Sequence, residues 1–217
     1  MNMMKQLRIA VLLGFASFLV AGCLDGGGDS KYDDHDFGDN DRNKVVALGD
    51  SITQGYTCED ETKSYPDRIA EMTGLTVINA GVSAERSGAA AARAGRVLDR
   101  HKPGFLLILT GHNDAIFDVS ADAVINNIRS IINAALARKT VPIVATLVPI
   151  GAPRRFATGP AREYSARIRE LAKEMNVELV DLEMEFGDRA RELQCDGLHP
   201  NDAGSAVIAA AFADKLP

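Results

Sequence analysis

Three things are scarce in this chain: basic charge, long apolar runs and cysteine. Lys and Arg number 24 against 30 Asp and Glu, a formal net charge of −6 over 217 residues. No basic stripe gathers on any segment, so nucleic acid is not an expected partner. The apolar stretch from Ile9 to Ala21 is interrupted by Gly14 and Ser17. It falls short of the roughly 20 apolar residues that a membrane-spanning helix needs. The cysteines are Cys23, Cys58 and Cys195. No internal repeat is present. A calcium loop is also lacking. Asp34-x-Asp36 runs on into Gly38, and Asp39-x-Asp41-x-Asn43 runs on into Lys44, where such a loop requires glycine. No metal is expected.

The N-terminus has the order of a secretory signal: Lys5 and Arg8, then the apolar stretch, then small residues. Its end, Val20-Ala21-Gly22-Cys23, resembles a bacterial lipobox. The resemblance implies cleavage before Cys23 and a lipid on Cys23. Leu24 stands where an inner-membrane retention signal has Asp. The implied location is the bacterial cell envelope, lipid-anchored, on the outer membrane or periplasmic face rather than the inner membrane. Residues 1–22 thus read as a lipoprotein signal peptide. Residues 23–43 read as the lipidated cysteine and a flexible acidic tether. Leu24 to Asn43 hold seven Asp against Lys31 and Arg42, with little to bury. Residues 44–217 suit one domain with a sizeable core. With Cys23 lipidated, Cys58 and Cys195 remain. In an oxidising compartment they either form a disulfide or stay as two buried thiols.

The domain alternates. Lys44–Leu48, Leu75–Asn79, Phe105–Thr110, Val141–Leu147 and Val177–Leu182 are short and apolar on consecutive positions. That pattern suits strands buried on both faces of a parallel sheet. Between them lie helical patterns at Ala89–Arg100, Ala121–Arg138 and Ala161–Met175, and Asp202–Leu216 closes the chain. Ser120 is a good N-cap for the helix that carries Val124, Ile125, Ile128, Ile131, Ile132 and Ala135 on one face. The expected fold is an α/β sheet with right-handed crossovers. In such sheets ligands sit beyond the carboxyl ends of the strands.

Those ends carry chemistry. An acyl-transfer site needs a nucleophile, a base, a group to hold the base and donors for an oxyanion. Ser51 follows the first strand in Gly49-Asp50-Ser51. His199 is the base candidate, because imidazole titrates near neutral pH. Asp196 stands three residues before it, so one short loop can deliver both. The N–H groups of Ser51 and Gly81 and the amide of Asn113 are the donor candidates.

At this point the chain resembles the SGNH hydrolases, the GDSL esterase/lipase family. Four blocks appear in order: Gly49-Asp50-Ser51-Ile52-Thr53-x-Gly55, Asn79-Ala80-Gly81, Gly111-His112-Asn113-Asp114 and Asp196-x-x-His199. The stretches Ser64-Tyr65-Pro66 and Ile78-Asn79-Ala80-Gly81-Val82-Ser83 are most similar to the bacterial arylesterase and lysophospholipase branch. The resemblance implies a three-layer α/β/α sandwich with a five-stranded parallel, flavodoxin-like sheet. It implies a serine esterase acting on small-molecule, lipid or sugar esters through an acyl-enzyme, with no cofactor. A same-fold acyltransferase and a non-catalytic surface lipoprotein are the alternatives. The larger α/β-hydrolase family does not fit, because no Gly-x-Ser-x-Gly elbow is present. His112 is bulkier than the block suggests and is expected to form a wall of the site. Asp50 and Asp114 are expected to brace turns. His35 and His101 read as solvated, and Arg154 and Arg155 as a solvated loop, with an anionic head group as the alternative. Ile116 and Phe117 either line an acyl pocket or pack in the core.

Overall fold

Strand β1 runs from Asp41 to Gly49, and its last five residues are completely shielded from water. All of β3, Pro103–Leu109, and β4, Val141–Ala145, is likewise buried. These are the consecutive apolar runs, and they occupy the middle of the sheet. The computed structural model describes residues 30–57 and 63–217. Between the strands lie α1 (Ser51–Gln54), α2 (Tyr65–Thr73), β2 (Thr76–Gly81), α3 (Ser87–His101), α4 (His112–Ile116), α5 (Ala121–Leu136), α6 (Thr158–Met175), β5 (Glu178–Val180), α7 (Leu182–Phe186), α8 (Ala190–Leu193) and α9 (Asp202–Ala213).

The sheet order is β2-β1-β3-β4-β5, and every pair is parallel. Helices α3, α5 and α6 pack side by side on one face, and α2 and α9 on the other. This is the expected three-layer α/β/α sandwich. The chain leaves β1 for β2 on one side and returns across β1 to β3 on the other. The strand order therefore reverses next to β1, which opens a crevice at the carboxyl edge. Register sharpens the point. Gly49 pairs with Gly81 on one side and with Leu109 on the other. Three chain segments thus emerge from the sheet at one level.

Local chemistry sets the helix starts. Ser64 accepts from the Asp67 N–H, with Pro66 in the first turn of α2. Ser120 caps α5, whose buried face is the one read from its spacing. Asn201 caps α9 through the Gly204 N–H.

One expectation fails. The flexible acidic tether expected over residues 23–43 is packed from Ser30 onward. Tyr32 is buried, its ring lies edge-on to Phe105 at 4.9 Å, and its hydroxyl donates to the Lys215 carbonyl at 2.7 Å. Phe37 meets Phe105 at 5.5 Å. Averaged composition hides this, because two aromatic rings among seven aspartates suffice to dock the segment. Residues 1–29, including the signal and Cys23, lie outside the described residues.

Candidate active site

Ser51 opens α1 immediately after β1. Gly49 makes the approach feasible: a Cβ there would lie 2.2 Å from both the Leu109 carbonyl and Thr53 Oγ1. Asp50 then caps α1, its Oδ1 accepting the Ile52 N–H at 3.0 Å. Gly55, in the left-handed region at φ 98°, ends the helix after one turn. The turn aims the Ser51 hydroxyl at His199. Ser51 Oγ and His199 Nε2 are 3.0 Å apart, in a buried contact across 148 residues of sequence.

His199 and Asp196 share a loop closed on itself. The Cys195 N–H donates to the His199 carbonyl, and Gln194 bridges to Pro200. The Asp196 carboxylate divides its labour. Oδ1 accepts the backbone N–H groups of Leu198 (3.0 Å) and His199 (2.8 Å), while Oδ2 meets His199 Nδ1 at 2.9 Å. A carboxylate beside Nδ1 fixes the proton there. Nε2 therefore presents its lone pair to the Ser51 hydroxyl. Burial pushes the Asp196 carboxyl up, but the His199 backbone N–H, the ring and the Leu198 N–H outweigh it and hold the group below the usual carboxylate range. Asp196 is ionised at neutral pH.

Asn113 lies at the start of α4. Its Nδ2 donates one hydrogen to the Glu85 carbonyl at 2.9 Å, which leaves the second amide hydrogen available. Gly81 is held differently from the sequence expectation. Its N–H donates to Asn79 Oδ1 at 3.0 Å, so it is not a free donor. Its glycine has a packing reason instead: a Cβ would lie 2.1 Å from the Gln54 nitrogen in α1. The next turn supplies a different N–H. The Glu85 N–H closes onto the Val82 carbonyl, and Ala84 between them sits at φ 60°. Ala84 is exposed, and its N–H has no hydrogen bond among the described residues. An alanine in the left-handed region is visible only in the structure, since the sequence signal for such a position is glycine.

Asp50 and Asp114 brace turns as expected, Asp114 by accepting from the Ser87 N–H (2.8 Å) and hydroxyl (2.7 Å). That anchor is why α3 starts at Ser87 rather than at Ala89. His112 is not a wall residue. It is buried beside the Ser51 turn, with Nδ1 3.2 Å from Asp50 Oδ2 and Nε2 3.2 Å from the Val148 N–H. Accepting that N–H puts its proton on Nδ1. Phe117 is not core, being 65% exposed, whereas Ile116 packs against the core. Arg154 is not a solvated loop residue, because it pairs with Asp196. His35 is solvent-exposed as expected, with its Nε2 3.1 Å from the Lys139 carbonyl. His101 is partly buried, and that burial lowers its pKa. Cys195 is disulfide-bonded, and Cys58, its expected partner, lies outside the described residues.

Two positioning features went unread in the sequence. Arg93 reaches the Glu85 carboxylate and the Ala80 carbonyl at 2.6–2.7 Å, tying the end of β2 to the turn that carries Ala84. The Tyr56 ring lies 4.4 Å from the His199 ring, tilted at 54° to it.

Comparison with known proteins finds relatives over most of the chain. The chain is 27% identical over 175 residues to thioesterase 1/protease 1/lysophospholipase L1 of Escherichia coli, covering 79% of this chain and 82% of the relative. It is 27% identical over 179 residues to an arylesterase of Vibrio mimicus, covering 80% and 88%. The fold superposes on a lipase/acylhydrolase from Enterococcus faecalis with a TM-score of 0.71 at 24% identity, over 79% of this chain and 94% of that one. A sequence model of the GDSL-like lipase/acylhydrolase family matches residues 47–207. Since that span takes in most of the chain and every residue of the site just described, the chain belongs to the GDSL-like lipase/acylhydrolase family and is a carboxylic ester hydrolase.

Proposed function

We propose that the protein is a serine esterase in which Ser51 is the nucleophile, His199 the general base and Asp196 the group that orients it. The observation that carries this reading is the unbroken line from Ser51 Oγ through both nitrogens of His199 to Asp196 Oδ2, with links of 3.0 and 2.9 Å. His199 Nε2 takes the hydroxyl proton as Ser51 Oγ bonds to the ester carbonyl carbon. The carbonyl π electrons move onto oxygen. When the tetrahedral species collapses, His199 gives the proton to the departing alcohol. Water then attacks the acyl-enzyme by the same route and frees Ser51. The Ser51 N–H, the second amide hydrogen of Asn113 and the Ala84 N–H are assigned to the oxyanion. Ala84 takes the place first given to Gly81, whose N–H is already bonded.

The relatives' names make aryl esters and lysophospholipids the first substrates to try. The exposed Phe117 ring near the block of Asn113 supports an apolar acyl group. The signal-like start and Val20-Ala21-Gly22-Cys23 support lipid anchoring through Cys23 in the bacterial envelope. Labelling with a radioactive fatty acid should be lost in Cys23→Ser.

The test of function is hydrolysis of p-nitrophenyl esters of increasing acyl length by the wild type and Ser51→Ala. The variant should lose at least about 10³ in kcat. Hydrolysis undiminished in Ser51→Ala would overturn the assignment.

A further inference from the structure

The carboxylate oxygen that holds His199 is shared with a permanent cation. Asp196 Oδ2 lies 2.9 Å from His199 Nδ1 and 3.2 Å from Arg154 Nη2. Arg154 Nη1 also donates to the Asp196 backbone carbonyl at 2.9 Å. The guanidinium therefore grips Asp196 at two points, in the forked geometry that lysine cannot reproduce.

The fold delivers Arg154 to this place. After β4 the chain runs along the loop of Asp196. The Gly151 N–H donates to the Gly197 carbonyl at 2.7 Å, and Gln194 Nε2 donates to the Pro149 carbonyl at 2.7 Å. Gly197 is left-handed at φ 77°, and a Cβ there would lie 2.0 Å from the Ala152 carbonyl. Thr158 fastens the far side by donating to the Ile150 carbonyl. The two segments are thus locked together, with Arg154 directed at the carboxylate.

We propose that Arg154 is a positioning residue that sets the pH at which His199 becomes available as a base. The proposal rests on the reading of Ser51, His199 and Asp196 given above. The ionised Asp196 favours a protonated imidazole; a guanidinium on the same oxygen offsets part of that charge. Both its direct repulsion of imidazolium and its neutralisation of Asp196 act in one direction. They favour the neutral imidazole that can accept the Ser51 proton. Among the described residues, the other groups facing this pair are the Tyr56 phenol beside the imidazole and the Ser51 hydroxyl. Behind the loop, a cavity of about 1380 Å³ carries Arg155, Arg162, Arg191, Glu183 and Asp188 on its walls. Glu183 is paired with Arg169, and none of these five forms an ion pair with Asp196 or His199 among the described residues.

The experiment is the pH profile of kcat/KM on a p-nitrophenyl ester for the wild type, Arg154→Gln, Arg154→Met and Arg154→Lys. Removing the charge should move the acid limb upward by about half a pH unit, the scale of a partly exposed ion pair. Arg154→Lys should restore the limb while leaving kcat below wild type, because the fork is lost. Arg154→Met keeps the aliphatic stem packed and serves if the glutamine variant does not fold. A merely structural role would lower kcat in all three variants and leave the limb in place. That result, or a limb moved as far by lysine as by glutamine, overturns the proposal. An active Ser51→Ala enzyme would instead overturn the underlying site assignment, so the two failures are distinguishable.

Discussion

Asn113 and Ala84 make opposite demands on stability and rate. The Asn113 amide is held by the Glu85 carbonyl and has one hydrogen to spare. Asn113→Ala should therefore cost on the order of 10²–10³ in kcat with little change in KM, as for the loss of one oxyanion donor. Steady-state kinetics on an aryl ester checks this, and unchanged turnover removes Asn113 from the mechanism. Ala84 holds a left-handed backbone at φ 60° in the turn closed by Val82 and Glu85. That conformation costs an L-residue roughly 1–2 kcal/mol, part of which glycine returns as lost chain entropy. Ala84→Gly should raise stability by about 0.5–1 kcal/mol, a rise of a few degrees in Tm. Its activity should hold, since the N–H remains. A lower Tm would show that the turn is not strained.

The segment before β1 shows how a few residues dock an acidic stretch. Tyr32 and Phe37 pack on Phe105 in β3, and the Tyr32 hydroxyl reaches the C-terminal Lys215 carbonyl. Tyr32→Ala should destabilise the protein by about 3 kcal/mol, in the range of aromatic truncations in cores. A truncation beginning at residue 44 should be weaker still, because β1 itself starts at Asp41. Urea unfolding of each decides the matter; unchanged midpoints would make residues 30–40 a passive tether after all. The same segment marks the limit of reading by composition. Strands such as Phe105–Leu109 were legible because burial on both faces demands consecutive apolar residues. Helix α5 was legible from its 3.6-residue spacing and its Ser120 cap. Helices α1, α4, α7 and α8 span four or five residues, too few for a period to register. Within the site, Ser51, Asn113, Asp196 and His199 were legible as motifs. Arg154 was not, because the contact that matters lies 42 residues away and depends on two loops running side by side. Gly81 misled for a related reason: a glycine needed for close packing against α1 looks the same in sequence as one that offers its N–H.

Ionisable groups of both kinds bound the pH range in which the folded protein is stable. Asp181 is pushed up by burial, but its hydrogen bonds to Arg169, the Met184 N–H and Thr146 hold its carboxyl below the usual range. Asp196 is held low by its own loop. A carboxylate with a depressed folded pKa adds stability above its unfolded value near 4, and that contribution is lost as pH falls through the lower folded value. The carboxylate part of the acid-side loss should therefore begin below about pH 4, and the lowered His101 adds a smaller loss below its unfolded value near 6.5. Burial acts on the tyrosines in the other direction. It pushes Tyr164 up to about 12 and raises Tyr32 and Tyr65 further. For these groups the unfolded chain releases its proton first, near pH 10. Their neutral, buried forms are fully favourable below that value, and stability falls as pH rises beyond it. Tyr65 carries this most strongly, since it is buried between Thr53, to which its hydroxyl is bonded at 2.9 Å, and the stacked ring of Phe212. Urea midpoints measured from pH 3 to 11.5 should give a plateau from about 7 to 10, a shallow fall below it that steepens below about 4, and a decline on the alkaline side. In Tyr65→Phe the alkaline decline should become shallower while the acid side is unchanged. An alkaline limb of the same slope in that variant would mean that lysine deprotonation, and not the buried phenols, limits stability at high pH.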